Sequence, residues 1–222
     1  KLVSSKYHHI LGLNKSKIRL TNFKNTSPGI YCSVLIKKEV EIKIDNDDKI
    51  KLKFYDMKSL LKDNTLAYSN CIYYNIGRYV LNKTHNQEIH ATRHLIAGHV
   101  INVVKESYKE DAFILLKRKL EQVNKSYIYN NTNSIDELYD LLVSNLHWIT
   151  EYELNIFGIK EKKLILIIEK NKPIKQIGYT PITNEEDQKI IEENTIILYK
   201  KQFYYKSLYY LVEKQHFWLN NS

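Results

Sequence analysis

The sequence predicts an α+β protein with a β-hairpin and a helical bundle in residues 1–129, followed by a smaller α-β-β-β-α-β-α unit in residues 134–222. Three observations lead to this prediction. One early segment alternates apolar and charged residues about a polar turn, the next segments repeat apolar residues at helical spacing, and short apolar runs then alternate with polar turns. With 222 residues, 43% of them hydrophobic, the chain is long enough to bury a core.

The hairpin is predicted over residues 39–54, with its turn at Asn46–Asp48. Strand alternation places the apolar residues on one face. The other face is lined by Glu41, Lys43, Lys51 and Lys53. Helices are then predicted at Leu66–Leu81 and Ile89–Lys105, with a break near Ser107–Glu110.

The loop Asn130–Asn133 is the predicted boundary between the two parts. After it, Ser134 and Glu137 fit a capping box that opens a helix ending at His147. The remaining predicted elements are strands at Ile149–Phe157, Leu164–Ile168 and Ile174–Tyr179, a helix from Thr183 to Glu193, a strand at Thr195–Tyr199 and a Tyr-rich helix to Leu219. The aromatic residues of that last helix predict a core face or a homodimer face.

Composition excludes some classes of protein. No apolar run approaches the ~18 residues that span a bilayer, so we expect no membrane partner. Residues 1–9 lack the apolar segment of a secretory signal peptide. The only cysteines, Cys32 and Cys71, are predicted to be buried thiols in a reducing compartment, which favours a cytoplasmic or nuclear location.

Charge is strongly regional. Residues 1–38 hold eight cations and no acidic residue, whereas the whole chain has a net charge of +9. The alternative is that the lysines only solvate the surface of a chain that is rich in lysine throughout. A general enrichment in lysine, however, does not remove acidic residues from one segment. We therefore expect this segment to bind nucleic acid, with DNA favoured over RNA. The predicted phosphate-binding residues are Lys6, Lys15, Lys17, Arg19, Lys24, Lys37 and Lys38.

Four of the eight histidines lie between His85 and His99. His90 and His94 share a helix face, but His99 lies about 180° around the axis from His90, so a third zinc ligand is missing. We predict no metal site and no cofactor. Arg93 lies between two of these histidines and is one of only four arginines, which favours a planar phosphate donor. The alternative is an ion pair with Glu88.

The sequence His90-Ala-Thr-Arg93-His94 resembles the HxxRH box of the tyrosine recombinases. The hairpin with its lysines precedes this box, and Leu115-Leu116-Lys117-Arg118 follows it where the family has its LGH box. Tyr127 stands nine residues after Arg118, at the family's nucleophile spacing. The resemblance implies DNA breakage and joining through a phosphotyrosine at Tyr127. Arg93 with His90 would then stabilise the charge that develops on the phosphoryl oxygens, and Lys51 would protonate the leaving hydroxyl. Arg118 takes the catalytic position at which the family has a His or a Trp.

The same segment is similar to the Rx4-6H motif of the HEPN ribonucleases, through Arg93 and His99. This resemblance implies a metal-independent ribonuclease in which His99 acts in acid-base chemistry, and it implies a homodimer. A non-enzymatic protein that binds nucleic acid or serves as a scaffold is the third alternative.

Overall fold

The computed structural model describes residues 18–21, 33–44, 49–59, 65–82, 88–124, 129–180, 193–203 and 206–214. Seven strands form one mixed sheet with the order β1-β2-β3-β7-β6-β4-β5. Their bounds are Ile18–Thr21 (β1), Ser33–Lys43 (β2), Lys49–Ser59 (β3), Leu164–Glu169 (β4), Lys175–Gly178 (β5), Thr195–Phe203 (β6) and Lys206–Val212 (β7). Neighbouring strands are antiparallel except β4 and β6, which are parallel.

Five α-helices accompany the sheet in the described ranges, at Thr65–Asn75 (α1), Glu88–Tyr108 (α2), Ala112–Asn124 (α3), Ile135–Val143 (α4) and Glu151–Lys160 (α5). A π-helix, Ile76–Val80, extends α1, and a 3₁₀ turn, Lys109–Asp111, separates α2 from α3. Helix α1 packs against β3 and β7, and α5 packs against β4 and β5. Helix α2 contacts α1, α3, α4 and α5, so it is the centre of the helical layer.

The α+β prediction is confirmed, and so are several of its elements. The hairpin forms as β2 and β3, with Glu41 directly opposite Lys51. The two helices expected before residue 106 are present, and the break near Ser107–Glu110 is the 3₁₀ turn. Ser134 caps α4 by accepting a hydrogen bond from the Glu137 backbone N–H, although the helix ends at Val143 instead of His147. The strands predicted at Leu164–Ile168, Ile174–Tyr179 and Thr195–Tyr199 are β4, β5 and β6.

The strand predicted at Ile149–Phe157 is wrong, because residues 151–157 lie in helix α5. The Thr150 side chain accepts from the Glu153 backbone N–H, and the Glu153 side chain accepts from the Thr150 backbone N–H. This reciprocal capping box satisfies the first free N–H groups of a helix. The short apolar run fits either period, and the cap decides for the helix.

The predicted Tyr-rich terminal helix is also wrong in its described part. Residues 206–212 form β7, an inner strand between β3 and β6. Tyr209 and Tyr210 are 4% and 5% exposed, so both belong to the core instead of to a homodimer face. Most of the helix predicted from Thr183 to Glu193 lies outside the described residues.

The predicted boundary at Asn130–Asn133 does not divide the sheet. Phe54 pairs with Val212 and Tyr55 pairs with Leu211, so strands from both sides of the boundary are neighbours. The Glu213 N–H adds a 2.7 Å hydrogen bond to the Lys53 carbonyl. Within the described ranges, no helix is both long and apolar enough to cross a bilayer.

Candidate functional site

Arg93 lies on the buried face of α2. The buried residues of this helix recur at spacings of three and four, which is the apolar stripe of a core helix. They are Ile89, Thr92, Arg93, Ile96, Ala97, Val100, Ile101 and Val104. Arg93 is 1% exposed and is therefore a core residue by position.

The guanidinium of Arg93 is held by acceptors of the protein itself. Its Nε donates to Asn70 Oδ1 at 3.1 Å, and its Nη2 donates to the Ser69 carbonyl at 3.2 Å, both in α1. Its Nη1 donates to the carbonyls of His147 at 3.2 Å and Leu142 at 3.4 Å. One side chain therefore links α1, α2, α4 and the segment before α5.

Aromatic and acidic groups complete this cluster. The Arg93 Cζ lies 3.9 Å from the ring centroid of Tyr73, as in a cation–π contact. Burial lowers the pKa of Arg93, whereas Tyr73 and Glu153 raise it. Glu153 is 1% exposed, and its Oε1 accepts a 2.7 Å hydrogen bond from His147 Nε2. His147 Nδ1 lies 2.9 Å from Tyr129 Oη. The buried cation is thus compensated by four hydrogen bonds, by the Tyr73 ring and by the charge of Glu153.

The structure contradicts the predicted role of Arg93. Four hydrogen bonds from its donor nitrogens go to protein acceptors, and the side chain has almost no exposure through which a phosphate could reach it. A transition-state clamp must present its donors toward the substrate. Arg93 holds four segments of the fold together. Neither the recombinase mechanism nor the ribonuclease mechanism, which both place Arg93 on the phosphate, fits this position.

Among the described residues, none of the other predicted catalytic side chains forms a hydrogen bond with Arg93. His90 is exposed, and its ring contacts that of His94 at 4.2 Å between centroids. His99 Nε2 lies 2.7 Å from Glu161 Oε1, beyond the end of α5. Lys51 is exposed on β3 and Arg118 is exposed on α3. Tyr127, the predicted nucleophile, lies outside the described residues.

The pKa of His94 is shifted by its surroundings. Its Nδ1 lies 2.7 Å from Tyr139 Oη. Burial lowers the pKa of His94 and the neighbouring His90 lowers it further, whereas Asp140 raises it. The folded protein therefore favours the neutral imidazole, which suits a hydrogen bond with the tyrosine hydroxyl.

We expect this site to make stability depend on pH. Neutral His94 contributes fully above its unfolded pKa of about 6.5, and the contribution is lost as the pH falls toward the lower folded pKa, because the unfolded chain then binds more protons. His94→Gln keeps a polar partner for Tyr139 but does not titrate. The fall in Tm between about pH 7 and pH 5 should be smaller in His94→Gln than in the natural sequence. A Tm difference between the two proteins that stays constant over this range would contradict the expectation.

Lys37 and Lys38, two of the predicted phosphate contacts, are paired within the protein. Lys37 Nζ lies 2.7 Å from Glu213 Oε1, and this hydrogen bond raises the pKa of Lys37. Lys38 forms an ion pair with Asp56, whose carboxylate side chain is 4% exposed. A phosphate would have to compete with both carboxylates, so we remove these two lysines from the predicted contact set.

The exposed face of the hairpin also carries compensating charges. Glu41 lies 3.6 Å from Lys49, and Glu39 lies 3.8 Å from Lys53. These pairs are solvated and weak, at about 0–1 kcal/mol each. Of the other cations predicted to bind nucleic acid, Arg19 lies on β1 at one end of the strand order, and Lys6, Lys15, Lys17 and Lys24 lie outside the described residues.

Neither a metal centre nor a reactive thiol is found in the described part of the chain. No group of three or more His, Cys, Asp or Glu there could hold a metal ion. Cys71 is a free, buried thiol, as predicted, and burial with the nearby Asp56 carboxylate raises its pKa well above the usual value. It is therefore protonated at neutral pH and unreactive. Cys32 lies outside the described residues.

Comparison with known proteins identifies no family. No family model matches the chain, and no curated protein matches it. Among solved structures, the chain is similar to the viral OTU domain protease from Taggert virus, with 12% sequence identity and a TM-score of 0.34. The match covers 86% of this chain and 93% of that chain. A similarity at this TM-score does not establish a shared fold or a shared function.

A cleft beside the π-helix was not predicted from the sequence. Its walls include Tyr55 of β3, Tyr79 of the π-helix, Lys163 before β4 and Lys214 after β7. Each of these residues is separated from the next along the chain by 24 to 84 positions, and none belongs to a recognisable motif. Only the fold brings them together.

Proposed function

We propose that this protein binds nucleic acid through the basic segment before β2, and that it does so without chemistry at Arg93. The observation that carries the proposal is the segregation of charge: eight cations and no acidic residue in residues 1–38, against a net charge of +1 for the rest of the chain. A cation-only segment gains affinity for a polyanion by releasing counterions from it. Duplex DNA is the first ligand to test, because a duplex presents a higher density of phosphate charge than a single strand.

The pairing of Lys37 and Lys38 narrows the proposed contact to residues 1–24. The remaining predicted cations are Lys6, Lys15, Lys17, Arg19 and Lys24. Arg19 lies on β1, which is an edge strand of the sheet. The one described cation of this set is therefore at the border of the sheet and not in its interior. The burial of Arg93 favours binding over either catalytic alternative, since strand transfer and ribonuclease chemistry were both predicted to depend on it.

The test is the salt dependence of binding to a labelled duplex of about 25 base pairs, measured by fluorescence anisotropy between about 50 and 200 mM salt. Replacing Lys6, Lys15, Lys17 and Lys24 together by glutamine should weaken binding. It should also flatten the plot of log Kobs against log salt by about 0.9 for each lysine that contacts a phosphate. The loss should be similar for unrelated duplex sequences, because phosphate contacts carry no base information.

The control removes the same charge elsewhere. Lys105, Lys109, Lys170 and Lys201 are all exposed in the described structure, and replacing them by glutamine changes the net charge equally. The proposal requires a clearly smaller change of slope in this control variant. Equal effects in the two quadruple variants, with both folded by circular dichroism, would show that only overall charge matters.

A further inference from the structure

The cleft beside the π-helix has a volume of about 350 Å³. This is within the range of small-molecule sites, about 300–1,000 Å³, at its lower end. Its lining combines apolar residues of β6 and β7 with aromatic residues, two lysines and two glutamates. Such a combination of apolar surface and a few polar groups is typical of a site that orients one small ligand.

Two of the residues that line the cleft form an aromatic stack. The rings of Tyr55 and Tyr79 lie 4.6 Å apart between centroids with an interplanar angle of 15°. The Lys37 ammonium lies 5.3 Å from the Tyr55 ring centroid, and the Tyr55 hydroxyl lies 3.4 Å from Glu213 Oε1. Tyr55 is therefore fixed by several contacts, whereas Tyr79 is 36% exposed. The fixed Tyr55 ring supports Tyr79 as a stacking surface.

Two lysines also line the cleft. Lys163 Nζ donates to Asn194 Oδ1 at 2.8 Å, and Lys214 Nζ donates to the Glu193 carbonyl at 2.9 Å. Burial lowers the pKa of Lys214, the charge of Lys163 lowers it further, and Glu193 opposes both effects. Lys163 and Lys214 both line the cleft, so an anion that contacts both would gain two charge-assisted interactions.

The backbone beside the aromatic stack is unusual. Tyr79 lies in the π-helix Ile76–Val80, and Leu81 closes this helix with a 3.0 Å hydrogen bond from its N–H to the Ile76 carbonyl. Single-turn π-helices occur frequently at functional sites, because the wider turn redirects the side chains that follow it. Here the turn contains Tyr79, which lines the cleft.

We propose that this cleft binds a nucleoside phosphate, with the base stacked on Tyr79 and the phosphate between Lys163 and Lys214. Any base can stack on an aromatic ring, and ammonium groups bind phosphate as point charges. The proposal does not rest on nucleic-acid binding by residues 1–24. A free nucleotide and the phosphorylated end of a single strand present the same chemistry, so the two sources must be separated by experiment.

The experiment is isothermal titration calorimetry of the full chain with four probes: AMP, adenosine, inorganic phosphate and a 5′-phosphorylated oligonucleotide of about six nucleotides. AMP should bind at least about tenfold more tightly than adenosine or phosphate, because only AMP makes both contacts. Binding of AMP identifies a free nucleotide as sufficient. Binding of the oligonucleotide alone, lost in the Tyr79 variant below, supports the same site with a strand end as its ligand.

Variants assign the binding to the cleft. Tyr79→Ala should weaken AMP binding by about 5-fold to 100-fold, as the loss of one base stack does, whereas Tyr79→Phe should keep most of the affinity. Lys214→Gln should weaken it by about tenfold, as the loss of a charged hydrogen bond does. Tyr108→Ala is the matched control, because Tyr108 is 39% exposed on α2 and does not line the cleft. Binding of neither AMP nor the oligonucleotide would overturn the proposal, as would equal losses in Tyr79→Ala and Tyr108→Ala.

Discussion

Replacing Arg93 by alanine should lower the free energy of unfolding by about 3–5 kcal/mol, the usual result of removing one partner from a buried charge network. The change removes one donor from each of the Ser69, Leu142 and His147 carbonyls, and it removes a buried cation whose charge interacts with Glu153. Arg93→Lys should recover only part of this loss, because an ammonium cannot match the forked geometry of a guanidinium. Urea unfolding followed by circular dichroism measures both variants.

Arg118 provides the matched control for this prediction. It is an arginine on a neighbouring helix, exposed to solvent, so Arg118→Ala should change the free energy of unfolding by no more than about 0.5 kcal/mol. If Arg93→Ala proves as stable as Arg118→Ala, the buried network does not stabilise the fold in the way described.

Gly178→Ala should lower the free energy of unfolding by about 3 kcal/mol, for two separate reasons. Gly178 has a φ of +83°, where an L side chain is strained by about 1–2 kcal/mol. An added Cβ would also lie 2.5 Å from the Lys163 carbonyl oxygen and 3.1 Å from Gly158 Cα, both backbone atoms that cannot rotate away. Overpacking of this kind costs about 1–3 kcal/mol. Thermal and urea unfolding both report the loss.

A third glycine gives the opposite expectation and serves as the control. Gly98 lies inside α2, and a Cβ built there meets nothing within 4 Å. Gly98→Ala should therefore stabilise the protein by about 0.5–1 kcal/mol through helix propensity. The same sign of change in both variants would contradict the packing described between α5, β4 and β5.

Local patterns in the sequence predicted local structure well. Alternation about a polar turn found the hairpin, and helical spacing found α1, α2 and the break after α2. The two wrong elements have physical causes. At residues 150–153 a Thr-x-x-Glu capping box starts a helix, although the short apolar run there also fits a strand. At residues 206–212 a cluster of tyrosines fits helical spacing, and only the long-range pairing with β3 and β6 determines a strand.

The candidate site was predictable only in part. The burial of Arg93 could have been predicted from the sequence. Ile89 lies four residues before Arg93, and Ile96 and Val100 lie three and seven residues after it, so all four share one helix face. The acceptors of Arg93 could not have been predicted, since three of the four are backbone carbonyls from distant segments. The cleft residues Tyr79 and Lys214 lie 135 positions apart, so no local spacing could have joined them.

The strand order also constrains when the sheet can be completed during synthesis. β7 is the neighbour of both β3 and β6, and it is joined to β3 through pairs such as Phe54 with Val212. Domains emerge from the ribosome amino-terminal end first, and contacts between distant residues close late. The three-stranded meander of β1, β2 and β3 therefore has an unpaired inner edge until residue 212 has been made, and the basic segment emerges long before the sheet that it borders is whole.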